Sequence, residues 1–353
     1  MIKFNLDKKK LTEIIECFKP SVKEKLLQFK VQDGNITILV DDMGSIMKYE
    51  MGNEAELDTE IKEFYINIDV LKNINSAVKD SCVALFEIKD EYSMKVTLDS
   101  TVLDMSLPYT YTEIDTEFNV TEGEVEEMVS DRVAMICNRL KTVKNTGITA
   151  APKMEVGSQI SMGNQVAYTV IKEGHGLEKL DFLTIPEFFT FFSNIYKFGD
   201  EVEIALDRDK ERVRLRSGCA SYYIKLMGDE VDKIEVEEGV GKTDNNTRIN
   251  RDFLAYELLK LSIPLAGGDQ SIRNVKLVQD NGELLLEVKD LGNKISDSRI
   301  KVPEIVGDVE VKVSIDRLRE CIDKLEEDFE MRWNERALVV EDEVQKTFIV
   351  SYE

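Results

Sequence analysis

An alternating strand runs directly into a short amphipathic helix at Phe64-Tyr65-Ile66-Asn67-Ile68-Asp69-Val70-Leu71. The same signature returns at Leu180-Asp181-Phe182-Leu183-Thr184-Ile185-Pro186-Glu187-Phe188, and again at Val309-Glu310-Val311-Lys312-Val313-Ser314-Ile315-Asp316-Arg317-Leu318. In two copies an aspartate, Asp69 or Asp316, suits the helix N-cap or first turn, and Pro186 suits the first turn of the other helix. The copies are spaced by about 120 residues, which is a common domain size. A fixed period of this kind predicts three copies of one supersecondary unit.

The sequence around each signature repeats as well. Each signature is followed by two or three alternating strands, and each is preceded by a helix and further strands. The preceding helices are predicted within Lys3–Phe18, at Val125–Val143 and at Arg251–Leu261. We therefore predict an α+β fold of three tandem units, at residues 1–120, 121–240 and 241–353. Polar stretches without periodicity, Tyr109–Glu124 and Glu235–Asn250, are the predicted linkers. Three unrelated α+β segments remain the alternative interpretation.

Composition narrows the class of protein. Apolar residues make up 42% of the 353 residues and charged residues 33%, which is typical of a globular protein. No apolar run is long enough to cross a bilayer, and Met1 to Lys10 lacks the apolar core of a secretory signal. The five cysteines form no CxxC pair. This favours reduced thiols in the cytoplasm and argues against a metal site.

The net charge of −23 argues at first against nucleic-acid binding, because phosphate contacts usually need a basic face. The charge is unevenly distributed, however. The six predicted helices and the residues just before them hold about sixteen basic and about seventeen acidic residues, so strands and loops carry nearly all of the negative charge. A surface made of the helices would tolerate a polyanion, whereas a surface made of the sheets would repel it. The alternative is that these basic residues form an ordinary solvated face.

Two stretches resemble a known family: Leu26-Leu27-Gln28-Phe29-Lys30-Val31-Gln32-Asp33-Gly34 and Tyr168-Thr169-Val170-Ile171-Lys172-Glu173-Gly174-His175-Gly176-Leu177. The second is similar to the Thr-Val-x-x-Asp-Gly-His-Arg-Leu segment of the bacterial sliding clamps, the β subunits of DNA polymerase III. The resemblance covers the whole chain as three consecutive units. It implies that DNA-clamp-like units, with helices on one face and antiparallel sheets on the other, assemble into a homodimeric ring. It also implies a processivity factor that encircles duplex DNA without regard to sequence, binds a replicative polymerase and is opened by a clamp-loader ATPase.

The resemblance also implies three sets of residues, and it implies no catalytic residue, metal or cofactor. A partner-peptide pocket would include Lys172, Gly174, His175, Leu177, Val231, Ile234, Ile349, Ser351 and Tyr352. The DNA-facing residues would be Lys8, Lys9, Lys10, Lys72, Lys79, Arg132, Arg139, Lys141, Arg251, Lys260, Arg317 and Lys324. The dimer interface would pair Leu103, Met105 and Leu107 with Leu258, Leu259 and Leu261.

The chain departs from the family pattern in three places. Gly176 stands where the family usually has arginine, and the sequence ends at Glu353 without the usual tail containing Met-Pro. Both departures affect the expected peptide pocket. The loop Lys19–Lys25 is short, which affects the DNA contacts expected of that loop. Such divergence would suit a phage-encoded member of the family.

Other functions leave weaker signals. His175 is the only histidine, so a histidine-dependent catalytic triad elsewhere and a histidine-rich zinc site are both excluded. The run Gly239-Val240-Gly241-Lys242-Thr243 imitates the end of a phosphate-binding loop, but Val236 stands where the pattern needs glycine. Two alternatives to the clamp remain open. One is an acidic clamp-fold adaptor or decoy that binds replication proteins without encircling DNA, and the other is an enzyme that uses this partial loop.

Overall fold

The computed structural model describes residues 1–20, 25–53, 56–57, 63–108, 110, 113–144, 153–163, 167–172, 174–185, 187–227, 243, 245–266, 273–290, 292, 294–302, 305 and 309–351. In these ranges the chain has an α+β fold in which every strand pairing is antiparallel. The order strand, helix, four strands, helix, three strands occurs three times, apart from one additional two-residue strand in the first copy.

The elements of the first copy are β1 Ile2–Asp7, α1 Lys8–Cys17, β2 Leu26–Gln32, β3 Asn35–Asp42, β4 Ser45–Asn53, β5 Glu56–Leu57, β6 Glu63–Asn67, α2 Ile68–Ala77, β7 Val83–Asp90, β8 Ser93–Leu98 and β9 Thr101–Ser106. Helix α2 begins as the signature predicts. Asn67 is its N-cap, since its side chain accepts a hydrogen bond from the Asp69 amide, and Asp69 is the acid of the first turn. A carboxylate in the first turn favours the helix through the helix dipole.

The second copy contains β10 Val125–Val129, α3 Ser130–Lys144, β11 Lys153–Val156, β12 Ile160–Gly163, β13 Ala167–Ile171, β14 Phe182–Thr184, α4 Phe188–Ile195, β15 Glu201–Asp207, β16 Arg212–Ser217 and β17 Ala220–Lys225. The helix predicted to start at Val125 starts five residues later, at Ser130. Residues Val125–Val129 instead form a strand paired with β15. Tertiary pairing here outweighs the helix propensity of the two glutamates in that stretch.

The third copy contains β18 Asn245–Asn250, α5 Arg251–Ser262 with a 3-10 turn at Ile263–Leu265, β19 Asn274–Asp280, β20 Glu283–Lys289, β21 Ile295–Lys301, β22 Val311–Ser314, α6 Ile315–Ile322, β23 Asp328–Trp333, β24 Ala337–Glu341 and β25 Gln345–Val350. The predicted linker Glu235–Asn250 is wrong at its end, because Asn245–Asn250 is a strand paired with β23. Its asparagines disfavour a strand, but Asn245 binds the Val309 carbonyl and the Ile249 side chain lies in the core.

The strands form four sheets that join parts of different copies. Unit 1, Met1–Ala134 with Glu187–Leu226, holds the sheets β5-β1-β7-β8-β9 and β10-β15-β16-β17-β4-β3-β2-β6. Unit 2, Met135–Pro186 with Met227–Glu353, holds the sheets β14-β11-β12-β13-β25-β24-β23-β18 and β21-β20-β19-β22. The compact units thus divide the chain differently from the sequence repeat, whose boundaries at residues 120 and 240 stay a prediction.

Each unit has a core between its helices and sheets. In unit 1, Phe4 stacks on Phe86 and Phe29 stacks on Phe64, each pair with ring centroids 4.9 Å apart. In unit 2, the buried Trp333 packs with residues of α5 and α6, and its indole N–H donates to the Val309 carbonyl at 2.8 Å. Aromatic rings contribute much of the apolar area that each core removes from water.

Candidate functional site

One pairing rule joins the copies. The last strand of the second copy, β17, pairs with the fourth strand of the first copy, β4, from Ala220 opposite Tyr49 to Tyr223 opposite Ile46. The last strand of the third copy, β25, pairs in the same way with β13 of the second copy. Each eight-stranded sheet therefore consists of two half-sheets from successive copies, joined at a seam.

Among the strands that the structure describes, the same rule leaves two half-sheets without a partner. The half-sheet that ends in β9 and the half-sheet that ends in β21 each have that strand at an edge. Strand β9 is the last strand of the first copy, and β21 is the fourth strand of the third copy. At both internal seams a last strand pairs with a fourth strand. Unpaired strand edges present rows of free amide and carbonyl groups that can pair with another chain.

Apolar side chains accompany both open edges. Val102 and Leu103 of β9 are 50% and 37% exposed, and Ile295 of β21 is 65% exposed. Helix α5 and its 3-10 turn expose four large apolar side chains at a spacing of three or four residues: Phe253, Tyr256, Leu259 and Ile263. This set is called the α5 stripe below. An apolar stripe of this size marks an interaction surface.

The internal seams show what packs beside such a helix. At the seam between the first two copies, Asn194 of α4 donates to the Glu16 carbonyl of α1 at 2.9 Å, and the Tyr222 hydroxyl donates to the Cys17 carbonyl at the same distance. The first helix of one copy thus contacts the second helix of the next copy. By this rule, the α5 stripe is the surface against which α2 of a second chain would pack.

The predicted interface residues divide between surface and core. Leu103 and Leu259 are partly exposed, and Met105 is half-buried. Leu107, Leu258 and Leu261 are 7%, 0% and 4% exposed, so these three side chains are core residues. The sequence reasoning missed Phe253, Tyr256 and Ile263. The available signal was that the apolar residues of this helix are spread over more than one side, which is expected when more than one side is covered.

The helices are the basic part of this acidic chain. The six helices that the structure describes carry twelve Lys and Arg and eight Asp and Glu. The rest of the chain therefore holds more than the whole net charge of −23. The segregation of charge is stronger than the sequence alone indicated, because the structural helix bounds leave out several flanking acids.

The predicted DNA-facing residues differ in how freely they meet solvent. Lys9 and Lys79 are 87% and 77% exposed, and Arg132 and Lys141 are exposed. Arg139 is 16% exposed and donates to Gln345. Four other predicted DNA-facing residues form ion pairs that mostly face solvent. They are Lys8 with Asp80, Lys72 with Asp69, Arg251 with Asp252 and Lys260 with Glu257. Exposed ion pairs are weak, so an approaching phosphate can compete for these cations. Lys10 lies over the Tyr49 ring, whereas Arg317 and Lys324 are half-buried.

His175 holds a turn together. Its ring is 1% exposed, its Nδ1 accepts the Leu177 amide at 3.1 Å, and its Nε2 lies 3.2 Å from the Ser158 carbonyl. Gly174 and Gly176 on either side have φ of +77° and +90°, which glycine adopts without strain. His175 and Leu177 are therefore buried supports of the predicted peptide pocket, and Gly174 is exposed beside them.

The other described pocket residues lie in different surroundings. Lys172 opens onto a cleft of about 630 Å³ in unit 2, whose lining includes the carboxylates of Glu326, Asp328, Glu330, Glu341 and Glu343. Its ammonium lies 2.5 Å from Glu341. Burial works against ionisation of Glu341, but the hydrogen bond from Lys172 and the charge of Arg332 lower its pKa overall. Ile349 packs into the core, and the Ser351 amide donates to the Arg336 carbonyl.

Some predicted residues cannot be compared with the structure. Val231, Ile234 and Tyr352 of the pocket, Pro186, and the glycines and Lys242 of the partial phosphate loop lie outside the described residues. Within the described ranges, no group of three or more His, Cys, Asp or Glu is placed to hold a metal ion. No helix in those ranges is both long enough and apolar enough to span a bilayer.

Comparison with known proteins gives the fold. No protein-family model matches the sequence, and no curated protein does. Solved structures match over the full length. The DNA polymerase III subunit beta of Pseudomonas aeruginosa has a TM-score of 0.81 at 11% identity, covering 99% of this chain and 100% of that chain. The beta subunit of Thermotoga maritima has a TM-score of 0.80 at 13% identity, and the beta chain of Streptococcus pneumoniae has 0.79 at 14%, each covering 100% of both chains. The chain therefore has the α+β fold of bacterial DNA polymerase III beta subunits, the sliding clamps.

Proposed function

We propose that the chain is a DNA polymerase processivity factor, a sliding clamp of which two chains close a ring around duplex DNA. The observation that carries the proposal is the pair of open half-sheets. If β9 of one chain paired with β21 of a second chain, the two half-sheets would form a third composite sheet. The pairing would follow the rule that operates at both internal seams. In a two-fold symmetric pair each chain supplies one β9 and one β21, so both of these edges would be paired at each of the two contacts.

The charge distribution supports a passage for DNA along the helices. A ring that holds DNA by topology needs only weak phosphate contacts without sequence preference, since strong contacts would stop it from sliding. The exposed residues Lys9, Lys79, Arg132 and Lys141 suit this role. The strands and loops, which carry the excess of acidic residues, would on balance repel phosphate.

The remaining parts of the proposal concern partners. A closed ring has to be opened before it can load, so a clamp-loader ATPase is an expected partner, together with a replicative polymerase. The partner-peptide site is proposed at the exposed side of the turn that contains His175, next to Lys172; Ser351 lies at the other end of the β13–β25 pair. The protein itself is proposed to catalyse no reaction and to need no cofactor, and its place of work is cytoplasmic DNA.

The test is retention on DNA of different topology. The loader places the protein on nicked circular DNA, and the complex is washed in high salt. The fraction of protein that stays bound is then measured before and after the circle is cut. We expect retention on the circle and loss within the assay time after linearisation, because a topological link survives salt screening but not a free end. Equal loss from circular and linear DNA, with partner proteins still bound, would instead support the acidic adaptor.

A further inference from the structure

The face of the β10–β6 sheet opposite the unit 1 core carries a concentrated basic stripe. Val213 and Leu215 of β16 are fully buried in the core, so the alternate residues Arg212, Arg214 and Arg216 project from the other face. These three arginines are called the basic stripe. Lys225 lies directly opposite Arg212 on the next strand. Glu203 of the neighbouring strand β15 pairs with Arg214 at 2.6 Å, so the positive charge of the basic stripe is partly balanced within the sheet.

An apolar seat lies beside the basic stripe at the seam between β4 and β17. Ile46 and Tyr223 are cross-strand partners at this seam, and they form a buried cluster with Leu39 that is separate from the main core. The seat is covered by residues 113–121, called the strap, which contain no helix or strand. Ile114 of the strap is 7% exposed within the cluster, and the Phe118 ring lies 5.8 Å from the Tyr223 ring.

The acids of the strap meet the basic residues of the sheet. Lys210 lies 3.0 Å from Asp115 and 3.4 Å from Glu117. Arg212 donates to the Asp115 carbonyl at 3.2 Å. The Arg214 guanidinium lies 4.7 Å from the centre of the Phe118 ring, which is a cation–π contact. The strap is thus a ligand with a readable pattern: an aliphatic residue, an acid, any residue, an acid and an aromatic residue.

The strap is attached through its side chains and through a few backbone hydrogen bonds, among them those that the carbonyls of Asp115 and Glu117 accept from Arg212 and Lys210. Among the described contacts, its backbone amides reach the sheet at Asn119, which donates to Asp207 at 2.8 Å, and at Thr121, which donates to the Leu206 carbonyl at 2.9 Å. The ion pairs with Asp115 and Glu117 are solvent-facing. A segment with few backbone bonds and exposed ion pairs opens at a lower free energy than the sheet below it.

We propose that this face of unit 1 is a second peptide-docking surface, for an acidic extended segment of a partner protein with the strap's own pattern, and that the strap occupies it in cis. The pattern is Ile114-Asp115-Thr116-Glu117-Phe118, and a partner would place its aliphatic residue on Ile46 and its aromatic residue between Tyr223 and Arg214. The proposal does not depend on ring closure, because every contact it uses lies within unit 1.

The first experiment measures binding of a labelled peptide with the sequence of residues 113–124 to the full chain by fluorescence anisotropy. In wild type the tethered strap competes at an effective concentration near the millimolar range, so binding should be at least about tenfold weaker than to the variant Ile114→Ser/Phe118→Ser. The control peptide carries Phe118→Ala and should lose most of the affinity for that variant. Added salt should weaken binding as well, because the ion pairs are exposed.

Three outcomes overturn the proposal. They are absence of peptide binding to a folded strap variant, equal binding to wild type and variant, and preference of the bared face for a single-stranded oligonucleotide over the peptide. A second measurement needs no variant. Hydrogen exchange of wild type should show the Asn119 and Thr121 amides exchanging at least about tenfold faster than the paired amides of β16 and β17. Exchange of both amides only with global unfolding would show that the strap does not leave its seat.

Discussion

Replacing Leu259 by alanine should weaken the proposed dimer without weakening the fold. Leu259 is 48% exposed in the α5 stripe. Burying a whole leucine side chain contributes about 1.5–3 kcal/mol, so covering the exposed half contributes about 1 kcal/mol at each seam. A dimer closed at both ends buries two copies, which amounts to about 2 kcal/mol, or roughly a 30-fold increase in the dimer Kd.

The assay is a dilution series followed by sedimentation velocity and mass photometry. Two controls separate association from folding. Met43 is 78% exposed in the turn between β3 and β4, so Met43→Ala removes an apolar side chain that is even more exposed than Leu259 and should leave the dimer Kd unchanged. Leu258 is fully buried beside Leu259, so Leu258→Ala should lower the free energy of unfolding by about 2–5 kcal/mol.

One pair of results would refute the reasoning. If Leu259→Ala and Met43→Ala have the same dimer Kd as wild type, then the α5 stripe is not covered by a second chain. A wild-type protein that stays monomeric at every concentration would remove the interface itself. The fold, which does not depend on the α5 stripe, would stand in either case.

Two further predictions concern stability. Tyr222→Phe removes the hydroxyl that donates to the Cys17 carbonyl and accepts from Asn194, both buried contacts, and urea unfolding should show a loss of about 1–3 kcal/mol. Burial and the Asp316 carboxylate raise the pKa of Glu320, so its charged form is disfavoured in the folded protein. The resulting penalty is absent below the usual glutamate pKa, grows as the pH rises from the usual to the raised pKa, and is constant at higher pH. Glu320→Gln should therefore increase the free energy of unfolding at pH 7 and leave it nearly unchanged at pH 4, and a loss of stability at pH 7 would contradict this.

The repeat was predictable because each copy contains the same local sequence pattern. The strand-to-helix signature is carried by alternation followed by a first-turn acid, and both are local properties of the sequence. The element boundaries were less accessible. Strands β10 and β18 form because β15 and β23 lie beside them, and a stretch such as Asn245–Asn250 contains no local signal for that pairing. Cross-strand partners far along the chain decide such segments.

The candidate sites were predictable to a smaller extent. The basic character of the helices follows from counting, and the structure strengthens it. The sequence predicts His175 as part of a binding pocket, and this stays a prediction; the structure adds that the side chain is buried and binds within its own turn. The sequence predicts only a linker at Tyr109–Glu124, because the basic stripe becomes visible only when β16 is known to present Arg212, Arg214 and Arg216 on one face. Side-chain burial and the facing of strands depend on the whole fold, and a single sequence does not contain them explicitly.

The seams also set an order of events during synthesis. Strand β4 ends at Asn53 and waits for β17, which ends at Lys225. At about 5–20 residues per second, this leaves the edge of β4 unpaired on the ribosome for roughly 10–30 s. A nascent chain with an open strand edge is prone to pair with a neighbouring nascent chain. Chaperone binding to the nascent chain, or a larger distance between ribosomes on the messenger RNA, would therefore favour correct folding. In the part of the chain that the structure describes, no later strand pairs with the open edge of β9, and in the proposed dimer β21 of a second finished chain would pair with it.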